Sequence, residues 1–221
     1  MRNKVKILLS GISALLFVML IVILCFADRG AIGPEGTSIG LSHLNRFFFE
    51  LTGVNMLCYN ITDWLGITAV LTAFIFAVTG LIQLIKRRNF MKVDKEILAL
   101  GGLYLLVIGI YVFFENLIVN CRPVIMPGCS HPEASFPSSH TMLVCVIMGS
   151  AVMIMKKYIK KKSLQRVLAV ICYGIILVTV IGRLISGVHW FTDIVGGILI
   201  SVSLLALYSL IICSGRKNEY E

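Results

Sequence analysis

His189 and Asp193 stand four residues apart in VHWFTDIVGG, a spacing that puts both side chains on one face of a helix. A carboxylate so placed accepts from one imidazole nitrogen and leaves the other as a lone-pair nucleophile. Upstream, FPSSHT reads as the start of another helix, with Ser138 or Ser139 as cap and Pro137 fixing the entry. The unpaired first-turn amides and the positive end of the helix dipole make such a start an anion site. His140, in that first turn, is free to protonate a leaving oxygen and later to activate water. Arg122 and Arg183 add two guanidinium forks suited to phosphate oxygens. HxxxD alone is a weak signal. The conjunction of His189, Asp193, His140, Arg122, Arg183 and a serine-capped helix start suffices for phosphoryl transfer through a phosphohistidine, without a metal. No CxxC or comparable ligand spacing is present, and neither metal nor cofactor is expected. His131 lies in a loop, outside this set, and His43 reads as a headgroup contact.

These residues are far apart in the chain, so the fold must assemble them. Of 221 residues 58% are hydrophobic and the mean hydropathy is +0.93, beyond what a soluble domain of this size carries. Apolar runs near 7–27, 64–85, 97–118, 138–155, 167–187 and 190–213 predict six membrane-spanning helices, since a hydrocarbon core needs about 20 residues of helix. The alternating pattern of a barrel is absent. The expected fold is therefore all-α, a single polytopic domain over residues 1–221 built as a six-helix bundle. The uncharged stretch Ile7–Ala27 exceeds the ~7–15 residues of a signal-peptide core, which favours a retained helix. Between spans one and two, the loop Asp28–Asp63 carries Leu41, Leu44, Phe48 and Leu51 at helical spacing. This predicts an amphipathic helix on the outer membrane surface, packed on the bundle mouth, or both.

The net charge of +9 points to topology rather than to nucleic acid. Sixteen of the twenty basic residues fall at every second helix boundary: near the N-terminus, over Lys86–Lys95, over Lys156–Arg166, and at Arg216 and Lys217. The positive-inside rule then places both termini in the cytoplasm, in what is expected to be a bacterial plasma membrane. Membrane lipids are the expected partners, and KKYIKKK can touch anionic headgroups. The four basic residues left over, Arg29, Arg46, Arg122 and Arg183, lie at or near the opposite face, with His140, His189 and Asp193. The second outer loop, 120–137, holds four of the five prolines and delivers Arg122 and His140 to neighbouring helix tops. Cys58, Cys121 and Cys129 fall on the outer side, where Cys121 and Cys129 could close a short loop; the other four read as packing residues. Oligomeric state is not legible.

The set resembles the type 2 phosphatidic acid phosphatase superfamily of integral membrane lipid phosphatases. That family carries Lys-x6-Arg-Pro, Pro-Ser-Gly-His and Ser-Arg-x5-His-x3-Asp, which here read ENLIVNCRP, PSSH and GRLISGVHWFTD with every internal spacing kept. The resemblance is specific over about 115–193. It implies that Arg122, Ser138 and Arg183 bind phosphate, that His140 is the general acid, that His189 is the nucleophile and that Asp193 orients it. It also implies a lipid phosphate or pyrophosphate substrate, such as polyprenyl pyrophosphate, phosphatidic acid or phosphatidylglycerol phosphate, cleaved at the outer face. A lipid phosphotransferase using the same nucleophile, and a non-hydrolytic lipid-phosphate binder or transporter, are the alternatives.

Three positions depart from the family pattern. Ser139 stands for glycine, with its backbone N–H still able to bind phosphate, Gly182 for serine, and Glu115 for lysine. The last is the most consequential, because a carboxylate beside a phosphate dianion costs on the order of 1 to a few kcal/mol. Seven residues separate Glu115 from Arg122, which as one helix would set them on the same face. Three roles are open for Glu115: an ion-pair buttress for Arg122 or Arg183, recognition of a cationic headgroup or a proton step in transfer, or a mark of weakened hydrolysis.

Overall fold

The computed structural model describes residues 2–215. Arg216 and Lys217, part of the charge pattern, lie outside the described residues, as does the Cys213 side chain. Seven α-helices follow one another: α1 (Arg2–Phe26), α2 (Ser42–Thr52), α3 (Met56–Arg87), α4 (Lys95–Asn116), α5 (Ser139–Tyr158), α6 (Lys162–Ile185) and α7 (Phe191–Gly215). All but α2 are long and apolar enough to cross a membrane, and they coincide with the six expected spans.

Two boundaries differ from the sequence reading in ways that matter for the site. Helix α3 starts at Met56, where the Asn55 side chain accepts from the Cys58 amide at 3.0 Å. Hydropathy places the span start at 64 because Asn60, Thr62 and Asp63 are polar; the cap holds those residues in helix all the same. Asp63 is therefore a helical residue and not the end of a loop. Helix α4 ends at Asn116, so Glu115 and Arg122 do not share a helix. The chain beyond turns into a two-stranded pairing in which the Arg122 amide donates to the Glu133 carbonyl and the Ser135 amide to that of Asn120, both at 2.9 Å. Pro123 reinforces the break.

Helix α5 is the enclosed centre of the bundle, buried for most of its length, while α3 and α6 present most of their surface outward. Leu100, Leu103 and Val107 of α4 meet Met142 and Val146 of α5 and Leu204 and Tyr208 of α7 in the main apolar core. Helix α1 packs along α7 and is tied to it by Ser10, whose hydroxyl donates to the Ser203 carbonyl at 3.1 Å. Hydrocarbon supplies no hydrophobic drive between helices, so close approach by small residues and buried polar ties do this work.

Helix α2 packs on the end of the bundle and keeps one apolar face exposed. Asn45, fully buried, donates to Thr192 Oγ1 at 3.0 Å and accepts from the Thr192 amide at 3.2 Å, capping the first turn of α7. Phe48 stacks on Phe191 with ring centroids 4.1 Å apart. Leu44, Phe47 and Leu51 face away from the bundle, exposed. His43 pairs with Asp28 at 2.6 Å. The six described cysteines are free, Cys121 and Cys129 among them.

Candidate active site

The connection between α6 and α7 sets the geometry. Gly187 turns there with φ +65°, and a Cβ at that position would sit 2.0 Å from the Gly53 carbonyl oxygen. Only glycine combines that conformation with that approach. The tight turn delivers Arg183, at the end of α6, and His189, before α7, to one place. The His189 ring is 3% exposed and its Nδ1 lies 3.6 Å from Asp193 Oδ2. The same carboxylate oxygen accepts from the Trp190 amide at 2.9 Å, which fixes the carboxylate behind the ring. Burial, followed by the Arg122 and Arg183 guanidiniums, holds the His189 pKa well below its ordinary 6.5, so the ring is neutral at neutral pH.

The start of α5 is docked against this pair. The Ser138 amide donates to the Asp193 carbonyl at 3.0 Å, and the Ser138 hydroxyl caps α5 by accepting from the Thr141 amide at 3.5 Å. Arg122 arrives from the loop after α4. Its Nε lies 3.2 Å from Glu133 Oε2, and the Trp190 indole donates to the Cys121 carbonyl next door at 2.7 Å. Arg122, Glu115, Ser139 and His189 line one small cleft. The structure thus brings the expected residues together at one end of the bundle. Helix α3's end, α4's start, α5's end and α6's start carry the Lys86–Lys95 and Lys156–Arg166 basic clusters at the other.

Asp63 was not legible as a site residue. Its Oδ1 lies 2.9 Å from His140 Nε2 and 2.9 Å from Arg183 Nη2, linking α5 and α6 through α3. Tyr59, one turn earlier, lies under the Arg183 guanidinium at 4.7 Å. Glu133, the partner of Arg122, was also missed. A signal for Asp63 existed: Tyr59, Asp63 and Gly66 recur at i, i+4 and i+7, one helical face, at the entrance to an apolar span. An ion pair with Arg122 or Arg183 is one of the three roles open for Glu115. Glu133 and Asp63 take those positions, and Glu115 instead stands on the cleft wall.

Several buried polar atoms at this end have no hydrogen-bond partner among the described residues: Arg122 Nη1, Arg183 Nε and Nη1, both His189 ring nitrogens and Asp193 Oδ1. Buried donors are rarely left so, and their convergence is what a polar anionic ligand would satisfy. Among the described residues no group of three or more His, Cys, Asp or Glu side chains is placed to hold a metal ion. The cleft shares Tyr111, Ser139 and Met142 with an apolar groove of about 390 Å³ between α3, α4 and α5, walled by residues such as Ile67, Val70, Val107 and Leu143.

Residues 96–214 match the model of the PAP2 superfamily. A search of curated proteins gave no match. Among solved structures, the chain is similar to the crystal structure of the first transmembrane PAP2 type phosphatidylglycerolphosphate phosphatase from Bacillus subtilis, with a TM-score of 0.59 and 17% identity, over 96% of this chain and 98% of that one. At that identity the likeness is one of fold.

Proposed function

The chain belongs to the PAP2 superfamily, and from that premise we propose that it is an integral membrane phosphatase that removes phosphate from a lipid phosphate or pyrophosphate. The observation that carries this reading is the set of unpaired guanidinium and imidazole nitrogens of Arg122, Arg183 and His189, gathered around His189 in a cleft that shares three lining residues with an apolar groove. A phosphoryl group satisfies the first, and an acyl or prenyl chain fits the second.

In the proposed reaction, neutral His189 attacks phosphorus through Nε2 while Asp193 steadies the ring from the Nδ1 side. The bond from phosphorus to the leaving oxygen breaks, and His140 gives that oxygen a proton. Arg122, Arg183 and the first-turn amides of α5, from Ser139 onward, bear the charge on the transferring group. Water then attacks the phosphohistidine with His140 taking its proton; the nitrogen–phosphorus bond breaks and inorganic phosphate leaves. No metal enters these steps. The positive-inside distribution supports a site on the extracytoplasmic side, at headgroup level.

Glu115, on the cleft wall beside Arg122, favours one second reading: transfer of the phosphoryl group to an acceptor alcohol instead of water. One assay separates the two. Phosphate release by the purified protein in detergent, without added metal, is measured over a panel of lipid phosphates. His189→Ala serves as control and Glu115→Lys is run beside it. Release that vanishes in His189→Ala is the expected result. Release only from Glu115→Lys, with a phosphorylated alcohol formed by the native protein, would replace hydrolase by transferase. Equal release from native protein and His189→Ala would overturn both.

A further inference from the structure

Resting on that reading of the site, we propose that Asp63 is a positioning residue of the reaction, holding the leaving-group acid His140 and the phosphate-binding Arg183 in register. One oxygen, Oδ1, lies 2.9 Å from His140 Nε2 and 2.9 Å from Arg183 Nη2. Those two residues sit on different helices, α5 and α6, and the proposed reaction gives both a part at the same phosphoryl group.

The placement of Asp63 follows from how tightly α3 approaches its neighbours. A Cβ on Gly182 would lie 2.5 Å from Thr62 Cγ2, and one on Gly66 would lie 3.0 Å from His140 Cδ2. The missing side chain at 182 lets α3 close on α6, and the missing one at 66 makes room for the His140 ring one turn from Asp63. Tyr59 completes this face beneath Arg183, whose side chain is wholly buried. The Asp63 side chain is 44% exposed and lines the apolar groove, so the carboxylate joins the buried guanidinium to the groove wall.

The chemistry follows from the shared oxygen. By its closeness to Nε2, the carboxylate offsets the positive charge that the acid carries and leaves Nδ1 as the nitrogen that gives a proton. By engaging Nη2, it fixes the guanidinium while its Nε and Nη1 stay available to phosphate. Asp63 itself forms and breaks no bond to phosphorus.

The two roles separate by leaving group. Full-length protein is assayed with a short-chain diacylglycerol phosphate, whose alkoxide leaving group needs a proton, and with p-nitrophenyl phosphate, whose phenolate does not. Asp63→Asn is expected to lower the single-turnover rate of phosphoryl transfer from the lipid to His189 by roughly 10–100-fold, the loss of a well-held acid, and to change that rate for the aryl ester little. The half-saturating substrate concentration rises by a similar factor on both, because Arg183 sees only the phosphoryl group. His140→Ala reproduces the leaving-group pattern in this first step, and Asp63→Glu recovers part of the rate. Equal losses of the single-turnover rate on both substrates with no recovery in Asp63→Glu would reduce Asp63 to a structural residue and overturn the inference. So would native rates in Asp63→Asn while His189→Ala is inactive. Unchanged release in His189→Ala would instead bring down the reading of the site, and this inference with it.

Discussion

The Trp190 indole donates to the Cys121 carbonyl at 2.7 Å, and this one hydrogen bond ties the loop that carries Arg122 to the turn that carries His189. The two residues are far apart in sequence, and α5 and α6 lie between them. Trp190→Phe removes the donor and also part of a ring system that is 2% exposed. It is expected to cost about 1 kcal/mol of stability for the hydrogen bond, with the unpaired carbonyl and the cavity adding to that. Because Arg122 loses its anchor while His189 and Asp193 keep theirs, KM should rise more than kcat falls. Thermal unfolding in detergent and steady-state kinetics check the two halves.

Gly182 stands where the related family has serine, and the close approach of Thr62 gives the reason. A serine Cβ would meet Thr62 Cγ2 at 2.5 Å. Gly182→Ser is therefore expected to destabilise by about 1–3 kcal/mol, as overpacking does. Thr62→Ser removes the offending methyl and keeps the hydroxyl that bonds to the Cys58 and Tyr59 carbonyls. The double variant should regain most of the loss. A double-mutant cycle in thermal unfolding measures it, and simple additivity would show that the two side chains do not meet.

His189 gives the protein a pH dependence of known sign. Burial, then Arg122 and Arg183, hold its pKa well below the ordinary 6.5 in the folded state. Between those two values the unfolded chain binds the extra proton and the folded chain does not. Stability from this group is therefore complete above pH 6.5 and falls as the pH drops below it, toward the lowered value. Replacing the ring by His189→Asn should flatten the melting temperature over that acid interval relative to native protein. Parallel curves would show that the ring carries no such linkage.

Cys129 is exposed at the site end of the bundle and the Lys156–Lys162 stretch lies at the other. The charge distribution predicts that a membrane-impermeant thiol reagent applied outside intact cells labels Cys129 under reducing conditions. A cysteine introduced into the Lys156–Lys162 stretch should stay unlabelled. The opposite pattern would put the site in the cytoplasm.

The spans were readable because lipid imposes a length and a composition on each helix, and the site end was readable because four arginines broke the charge rule. His189, Asp193, His140 and Ser138 stand out as candidates through short-range spacings, which survive in one dimension. Asp63 and Glu133 were not, since their partners lie on other elements: Asp63 meets residues 77 and 120 positions away. The polar start of α3 also hid Asp63 in an apparent loop, where only the Asn55 cap shows that helix continues. Glu115 drew attention through its spacing to Arg122, but a spacing is a shared face only while the helix lasts, and α4 ends one residue after it.

In the proposed reaction His189 becomes covalently phosphorylated. Purified protein is mixed with a lipid substrate carrying a radiolabelled terminal phosphate, quenched within the first turnover, and analysed for label on the chain. A phosphoenzyme that is labile in acid and stable in base is expected in native protein and is expected to be missing in His189→Ala. Label that persists in His189→Ala, or phosphate release in that variant at the native rate, would contradict it.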